Sequence, residues 1–256
     1  MVQAIQLEVG YRKGKKTHAV QKELGFKAEK GEFIALLGPN GCGKSTLLKT
    51  MGGLLEPLSG SLKFNGKEIK DIPLSERAKL FSLVLTDSVQ VKYITVYQMV
   101  AMGRHPYTTF SGKLSEEDRK IIMDSLDAVK MASFSQNFFQ ELSDGERQRV
   151  MVAKALAQDT PLIFLDEPTS HLDMPNRVET MLLLKKLTSD TGKFILISTH
   201  EIDLALHLAD KIWLMKPDGG IETGTPEEMI HNGAVQSAFQ SDNFGFDNET
   251  GRIIIF

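Results

Sequence analysis

An α/β fold is predicted by three features of the sequence. The apolar run Phe33 to Leu37 leads directly into Gly38-Pro39-Asn40-Gly41-Cys42-Gly43-Lys44-Ser45-Thr46, a glycine-rich turn between a strand and a helix. Continuous β-rich runs at Phe81 to Leu85, Leu162 to Leu165, Phe194 to Ser198 and Lys211 to Met215 alternate with helical stretches, as buried strands do. The run at Leu162 ends in two acids, Asp166 and Glu167.

Taken in order, Ile5 to Tyr11 and Val20 to Phe26 read as short strands, with the basic segment Arg12-Lys13-Gly14-Lys15-Lys16 as the loop between them. The nine residues from Gly38 have the spacing GxxxxGKS. In such a cradle, backbone N–H groups and a helix N-terminus face phosphates, Lys44 reaches the terminal phosphates and Ser45 ligates Mg²⁺. Glycine is needed because the main chain approaches the ligand closely at angles that a Cβ hinders. Cys42 reads as filler at a variable position of this loop, a redox switch being the other reading. Asn65-Gly66 within Ser61 to Ile69 signals a hairpin, so an antiparallel β portion precedes and flanks the cradle. Between Val96 and Phe139 the periodicity turns helical, and Ser115 to Asp118 has capping-box spacing ahead of Ile121, Ile122 and Leu126, which reads as a helical insert. Thr225-Pro226-Glu227-Glu228 starts another helix, and a short C-terminal lobe follows. Its end carries a Thr250-Gly251 turn and a packed strand, Ile253 to Phe256.

With 256 residues, 41% hydrophobic, the chain can bury a large core. One cysteine excludes an internal disulfide framework, and no leader pattern follows Met1, which points to the cytoplasm. The apolar runs are of strand length, far below the roughly 20 residues that span a bilayer, so a membrane role has to come through a partner. Lys and Arg number 30 against 33 Asp and Glu, a net charge of −3 without a basic stripe, which argues against a nucleic-acid partner.

Beside a phosphate cradle, Asp166 falls opposite Ser45 as a Mg²⁺-associated acid. Glu167 then lies at the γ-phosphate, where deprotonating water is worth about 10²–10⁴-fold in rate; two solvated loop acids are the bland alternative. Leu142-Ser143-Asp144-Gly145-Glu146 precedes the helical Arg147 to Ala157 and by itself is a helix cap. Downstream lie Ser170-His171-Leu172-Asp173 and, after an apolar strand, His200. This ordered set strongly resembles the ATP-binding subunit of ATP-binding-cassette (ABC) transporters over nearly the whole chain. GPNGCGKST corresponds to Walker A, LSDGE to the signature, LIFLDE to Walker B, SHLD to the D-loop and His200 to the switch histidine.

The resemblance implies an α/β P-loop NTPase of ABC type, with a RecA-like, mostly parallel core sheet, an antiparallel β subdomain and an inserted helical subdomain. A single ABC ATPase domain would fill residues 1–256. Within it, 1–86 would hold the antiparallel portion and the Walker A part of the core, and 87–141 the helical subdomain. Residues 142–218 would carry the signature, Walker B, D-loop and switch histidine, and 219–256 the C-terminal lobe. The implied activity is ATP hydrolysis with Glu167 and His200 as catalytic residues and Mg²⁺ held by Ser45 and Asp166. ATP would be bound by Gly38 through Thr46, with Tyr11 under the adenine unless Tyr11 is an ordinary strand aromatic. The family implies a head-to-tail homodimer in which Ser143, Asp144, Gly145 and Glu146 face the other copy's ATP and Asp173 belongs to the D-loop. Hydrolysis then opens the dimer.

The sequence departs from the family at two places. Where LSGGQ is usual, Asp144 and Glu146 add carboxylates that favour a helix N-terminus by about 0.3–1 kcal/mol each yet oppose an arriving phosphate. Ser143 and Gly145 are expected to keep the contact, with both acids turned aside. Where the family has a Q-loop glutamine, counting back from Ile94-Thr95-Val96 puts Thr86 on the metal side; Asp87 or Gln90 serves if the loop shifts. Ile94 to Val96 and Val100 to Tyr107 resemble the insert of importers of iron-siderophores, haem or vitamin B12. The structural alternative there is a helix ending at Gly103 before a proline turn. Expected partners are integral membrane permease subunits and, indirectly, a substrate-binding protein, with the ATPase peripheral on the cytoplasmic side of the membrane. The other function class is a soluble cassette in translation or DNA repair, which usually carries two cassettes or a long coiled-coil insert. A small-molecule kinase would need an acceptor pocket and a lid.

Overall fold

The computed structural model describes residues 1–14, 16–86, 91–109, 112–239, 244–246 and 253–255. Strands β1 (Val2–Lys13) and β2 (Lys16–Ala28) pair antiparallel and run further than expected. Arg12 and Lys13 sit in the ladder opposite Thr17 and Lys16, so most of the anticipated basic loop is strand. Exposure at a hairpin tip leaves their charges in water, and register shifts within β1 absorb the extra length. Strand β3 (Phe33–Leu37) and helix α1 (Lys44–Met51) follow, then β4 (Ser59–Phe64) and β5 (Lys67–Glu68). The last two turn on Asn65-Gly66, both at positive φ, as this dipeptide requires. The four strands form an antiparallel sheet in the order β2-β1-β4-β5.

Helix α2 (Leu74–Leu80) leads into β6 (Phe81–Val84), and three helices, α3 (Val96–Ala101), α4 (Glu116–Ala128) and α5 (Asp144–Ala157), intervene before β7 (Leu162–Asp166). Then α6 (Met174–Thr191), β8 (Phe194–Ser198), α7 (Ile202–Leu208), β9 (Lys211–Met215) and β10 (Ile221–Gly224) complete a sheet ordered β10-β9-β3-β8-β7-β6. Its neighbours are parallel except β10, which is antiparallel to β9. The first element after residue 218 therefore lies in the core sheet. Beyond it come α8 (Pro226–His231), capped by Thr225 and Glu228 as their spacing indicates, α9 (Ala234–Phe239) and a pair formed by β11 (Phe244–Phe246) and β12 (Ile253–Ile255). The expected Thr250-Gly251 turn and Phe256 lie outside the described residues.

The central strands are apolar throughout because both faces are covered. Phe33, Ala35 and Leu37 of β3 pack with Ile163, Leu165, Ile195 and Ile197 against the helices. Ile34 and Leu36 point the other way, with Phe164, Phe194 and Trp213, towards α1 and the antiparallel sheet. An aromatic chain joins the two sheets: Phe64 lies 5.5 Å from Phe81, and Phe26 lies 4.2 Å from Trp213, measured between ring centroids. Fully burying each such ring stabilises the fold by about 1.5–3 kcal/mol.

The helical insert starts at Thr95, whose hydroxyl accepts from Gln98 N while the Gln98 side chain accepts from Thr95 N, a box the sequence reading missed. Helix α3 passes at Met102 into a 3₁₀ turn that continues through Pro106 to Tyr107. This turn carries Arg104, which is 6% exposed and bonds Asp118 Oδ1 at 2.8 Å and Ala157 O at 2.8 Å. The predicted capping box is present at Ser115 and Asp118. Bonds from the Ser115 hydroxyl and N–H, then from Arg104, hold the Asp118 carboxyl at about 2 against an ordinary 3.8. A depressed carboxyl contributes stability at neutral pH that is lost as pH falls through its folded value. Asp118→Ala leaves the Arg104 charge buried and unpaired, and urea denaturation should show a loss of about 3–5 kcal/mol. Wild-type protein should lose a smaller contribution as pH falls from about 4 through about 2, because protonation weakens the contact with Arg104 without deleting the side chain.

Candidate functional site

The phosphate cradle is built where β3 ends and α1 begins. Gly43 caps α1 without a side-chain hydrogen bond, which leaves the first N–H groups for a ligand. Its φ is 101°, and a Cβ there would fall 2.7 Å from Val20 Cγ1, so the position admits glycine alone. Lys44 is 6% exposed and its Nζ donates to Gly38 O at 2.8 Å and Pro39 O at 3.2 Å. Both of these acceptors are carbonyls and neither is a carboxylate, which leaves the amine for a phosphate. Asn40, Gly41 and Ser45 are exposed, while Thr46 is buried and its hydroxyl lies 3.2 Å from the Tyr11 hydroxyl, which sets that half-exposed ring beside the start of α1. Cys42 is buried, and burial pushes its thiol up, which disfavours the reactive thiolate. Behind the loop, Gln21 donates to Cys42 O and Lys216 O, both at 2.8 Å. This buttress was missed; a glutamine facing inward from a strand was its only signal.

Helix α1 packs on β7, whose end carries the two acids. Asp166 is 2% exposed, and the fully buried Ser198 donates to its Oδ1 at 2.5 Å. The Ser198 hydroxyl also accepts from Glu167 N at 3.0 Å, so one oxygen serves both acids. Glu167 is in the left-handed region, at φ 50°, a strained conformation for a residue with a Cβ. Its carbonyl accepts from the Ser170 hydroxyl at 3.2 Å and from Gln148 Nε2 at 3.4 Å. His200 Nε2 lies 2.6 Å from Glu167 Oε1, within hydrogen-bond distance. The structure thus brings together Asp166, Glu167 and His200 and adds Ser198 and Gln148, which sequence reasoning passed over.

Thr86 approaches from β6 and donates to Asp166 O at 3.3 Å; Asp87 and Gln90 lie outside the described residues. Ser45, Asp166 and Thr86 offer hard oxygen donors of the kind Mg²⁺ takes. No cluster of three or more His, Cys, Asp and Glu exists among the described residues.

Ser143 caps α5 in a full capping box with Glu146. Its N–H and hydroxyl each reach Glu146 Oε2 at 2.8 Å, and these two bonds hold the Glu146 carboxyl below the ordinary range. Asp144 is turned out to Arg147 at 3.2 Å. Both acids are therefore drawn aside, but Glu146 also occupies the Ser143 hydroxyl. Asp173 caps α6, accepting from Asn176 N at 3.2 Å. A Cβ on Gly145 would lie 3.1 Å from His171 O, so α5 rests on the segment leading to Asp173.

Residues 21–170 match the family described as ABC transporter. This chain belongs to the ABC transporter family. It is 39% identical over 98% of its length to an uncharacterized ABC transporter ATP-binding protein of Methanocaldococcus jannaschii, covering 85% of that protein. It is 35% identical to the iron(3+)-hydroxamate import ATP-binding protein FhuC of Bacillus subtilis, covering 93% of this chain and 87% of FhuC. Its fold is similar to the dimeric post-hydrolysis state of the ATP-binding cassette MJ0796 bound to ADP and Pi. The TM-score is 0.78 at 28% identity, over 88% of this chain and 99% of that one. The ABC chain is accordingly an ATPase with a P-loop NTPase fold, as its motifs imply.

Ser198→Ala in this ABC ATPase removes the donor to Asp166 Oδ1 and one of the two acceptors of the Glu167 N–H, the Ser198 carbonyl at 3.2 Å remaining. A hydrogen bond to a charged group is worth about 1.5–3 kcal/mol, so kcat should fall by roughly tenfold or more while the protein stays folded by circular dichroism.

Proposed function

We propose that the chain is the energy-coupling ATPase of an importer for a metal chelate of the iron-siderophore, haem or cobalamin class. The observation that carries the catalytic part is the contact between His200 and Glu167 beside the buried Asp166. In this reading the open N-terminus of α1 and Lys44 bind the triphosphate, and Tyr11 lies against the adenine. Ser45 and Asp166 hold Mg²⁺, with Thr86 beside them, and that ion supplies neutralisation of charge on the phosphates. Glu167 takes the proton of the attacking water, and His200 keeps the carboxylate aimed. Ser198 leaves Asp166 one oxygen for the metal side and anchors the strained Glu167 backbone, so the two acids keep separate tasks.

Two copies are arranged head to tail, the start of α5 in one meeting the ATP of the other. Ser143 and Gly145 then contribute donors at a second positive helix end, and Asp173 lies on the D-loop between the two sites. Similarity to FhuC and the residues from Ile94 to Tyr107 support import of a chelate. Tyr93, 76% exposed, meets Phe138 edge to face at 6.5 Å next to a hollow lined by Ile94, Tyr97, Ala101 and Met102. An exposed aromatic rim of this kind suits the short helices of a permease. No helix among the described residues is long and apolar enough to cross a membrane. In this reading the ATPase sits on the cytoplasmic face through its permease, which a substrate-binding protein supplies with cargo.

Glu167→Gln should bind ATP and accumulate as a nucleotide-loaded dimer in size-exclusion chromatography with at least a hundredfold loss of turnover, within the range a general base supplies. Turnover at the wild-type rate would refute the assignment. Asp144→Gly removes a carboxylate near the arriving phosphate and should tighten ATP-dependent dimerisation by about two- to fivefold, from about 0.3–1 kcal/mol of helix-end electrostatics. Analytical ultracentrifugation with Glu167→Gln as the background reads this directly, and the gain should shrink in high salt.

A further inference from the structure

Around His200, Thr199 N donates to Leu36 O at 3.3 Å, Glu201 N donates to the Thr199 hydroxyl at 3.0 Å, and the His200 carbonyl accepts from Ile202 N at 3.0 Å. Helix α7 follows, and Glu201 precedes it without capping it through its side chain. The Glu201 carboxylate instead reaches across to α6, where Arg177 Nη1 meets its Oε1 at 2.5 Å. The same guanidinium uses Nε to bond Leu172 O at 2.7 Å, two bonds from one rigid fork. Leu172 lies between His171, on which Gly145 of α5 rests, and Asp173, which caps α6. Gln148, also on α5, reaches the Glu167 carbonyl at 3.4 Å. One continuous set of contacts therefore runs from the start of α5, through residues 171–173 and Arg177, to Glu201 and so to His200.

We propose that Arg177 and Glu201 are positioning residues: their ion pair straps the D-loop to the histidine segment and holds His200 in reach of Glu167. Neither side chain touches the phosphate cradle; each acts through a neighbour. In the head-to-tail dimer, engagement of the start of α5 by the other copy's nucleotide presses on the backbone of residues 171–172, and the strap carries that displacement to His200. Hydrolysis in one site is thereby made conditional on the contact that the same chain offers to its neighbour. A planar guanidinium suits this better than an ammonium because it can hold a carbonyl and a carboxylate in fixed relation.

This inference rests on the reading of Glu167 and His200 as the catalytic pair, so the test carries Glu167→Gln alongside. Arg177→Met, Glu201→Gln and the double variant are compared for kcat, KM for ATP, equilibrium ATP binding and thermal melting. Glu201→Gln is nearly isosteric at a partly exposed position, so it stays folded whatever befalls Arg177→Met. Misplacing a reactive group by about 1 Å costs about 100-fold, so each single variant should lose roughly 10- to 100-fold in kcat. KM and ATP binding should stay within about twofold, and the double variant should be no slower than the worse single, as two ends of one contact require. Wild-type kcat in Glu201→Gln, or losses that multiply in the double variant, would overturn the strap. If Glu167→Gln itself turns over normally, the catalytic reading fails first.

Discussion

Parallel pairing of β7 with β8 sets Asp166 beside Ser198, and the chemistry of the site depends on that register. A slip of one residue would turn Ser198 into the core and put an aliphatic side chain against the buried carboxylate. The register is secured on both faces of the sheet, because alternate residues of each strand belong to different packed layers. Apolar packing on both faces fixes the strands, and two acids, a hydroxyl and a histidine are thereby delivered to one edge.

In the proposed dimer the start of α5 would serve two ends at once. As a helix terminus it needs its first N–H groups satisfied, and the box between Ser143 and Glu146 does this within the chain. As a surface for a neighbour's phosphate it would need those same donors free. The Glu146 carboxylate satisfies the helix end and ties the Ser143 hydroxyl to its own chain, so in the proposed dimer an arriving phosphate would have to compete with it. Gly145 has a structural role in addition, since the backbone of His171 leaves only a tight fit for a Cβ there.

Much of this was legible in the residues themselves. The phosphate loop, the acid pair after β7, the capping spacings at Ser115, Ser143 and Thr225 and the Asn65-Gly66 hairpin are local signals, each with its cause within a few residues. The length of β1 and β2 was not, because basic residues lower the apolar signal although an exposed hairpin tip tolerates them. Thr95 and Gln98 have the spacing of a cap but stand beside a helix too short to announce itself.

By itself the sequence determined the α/β class, the nucleotide cradle and the family, since these rest on residue types at fixed spacing along the chain. Tertiary structure alone decided that Ser198 joins Asp166 to Glu167, that Gln21 and Gln148 brace the loop and the acid, and that Arg177 reaches Glu201. Those partners lie tens to nearly two hundred residues apart, and a serine at the end of an apolar strand carries no mark of the carboxylate it will meet until the sheet brings the strands together.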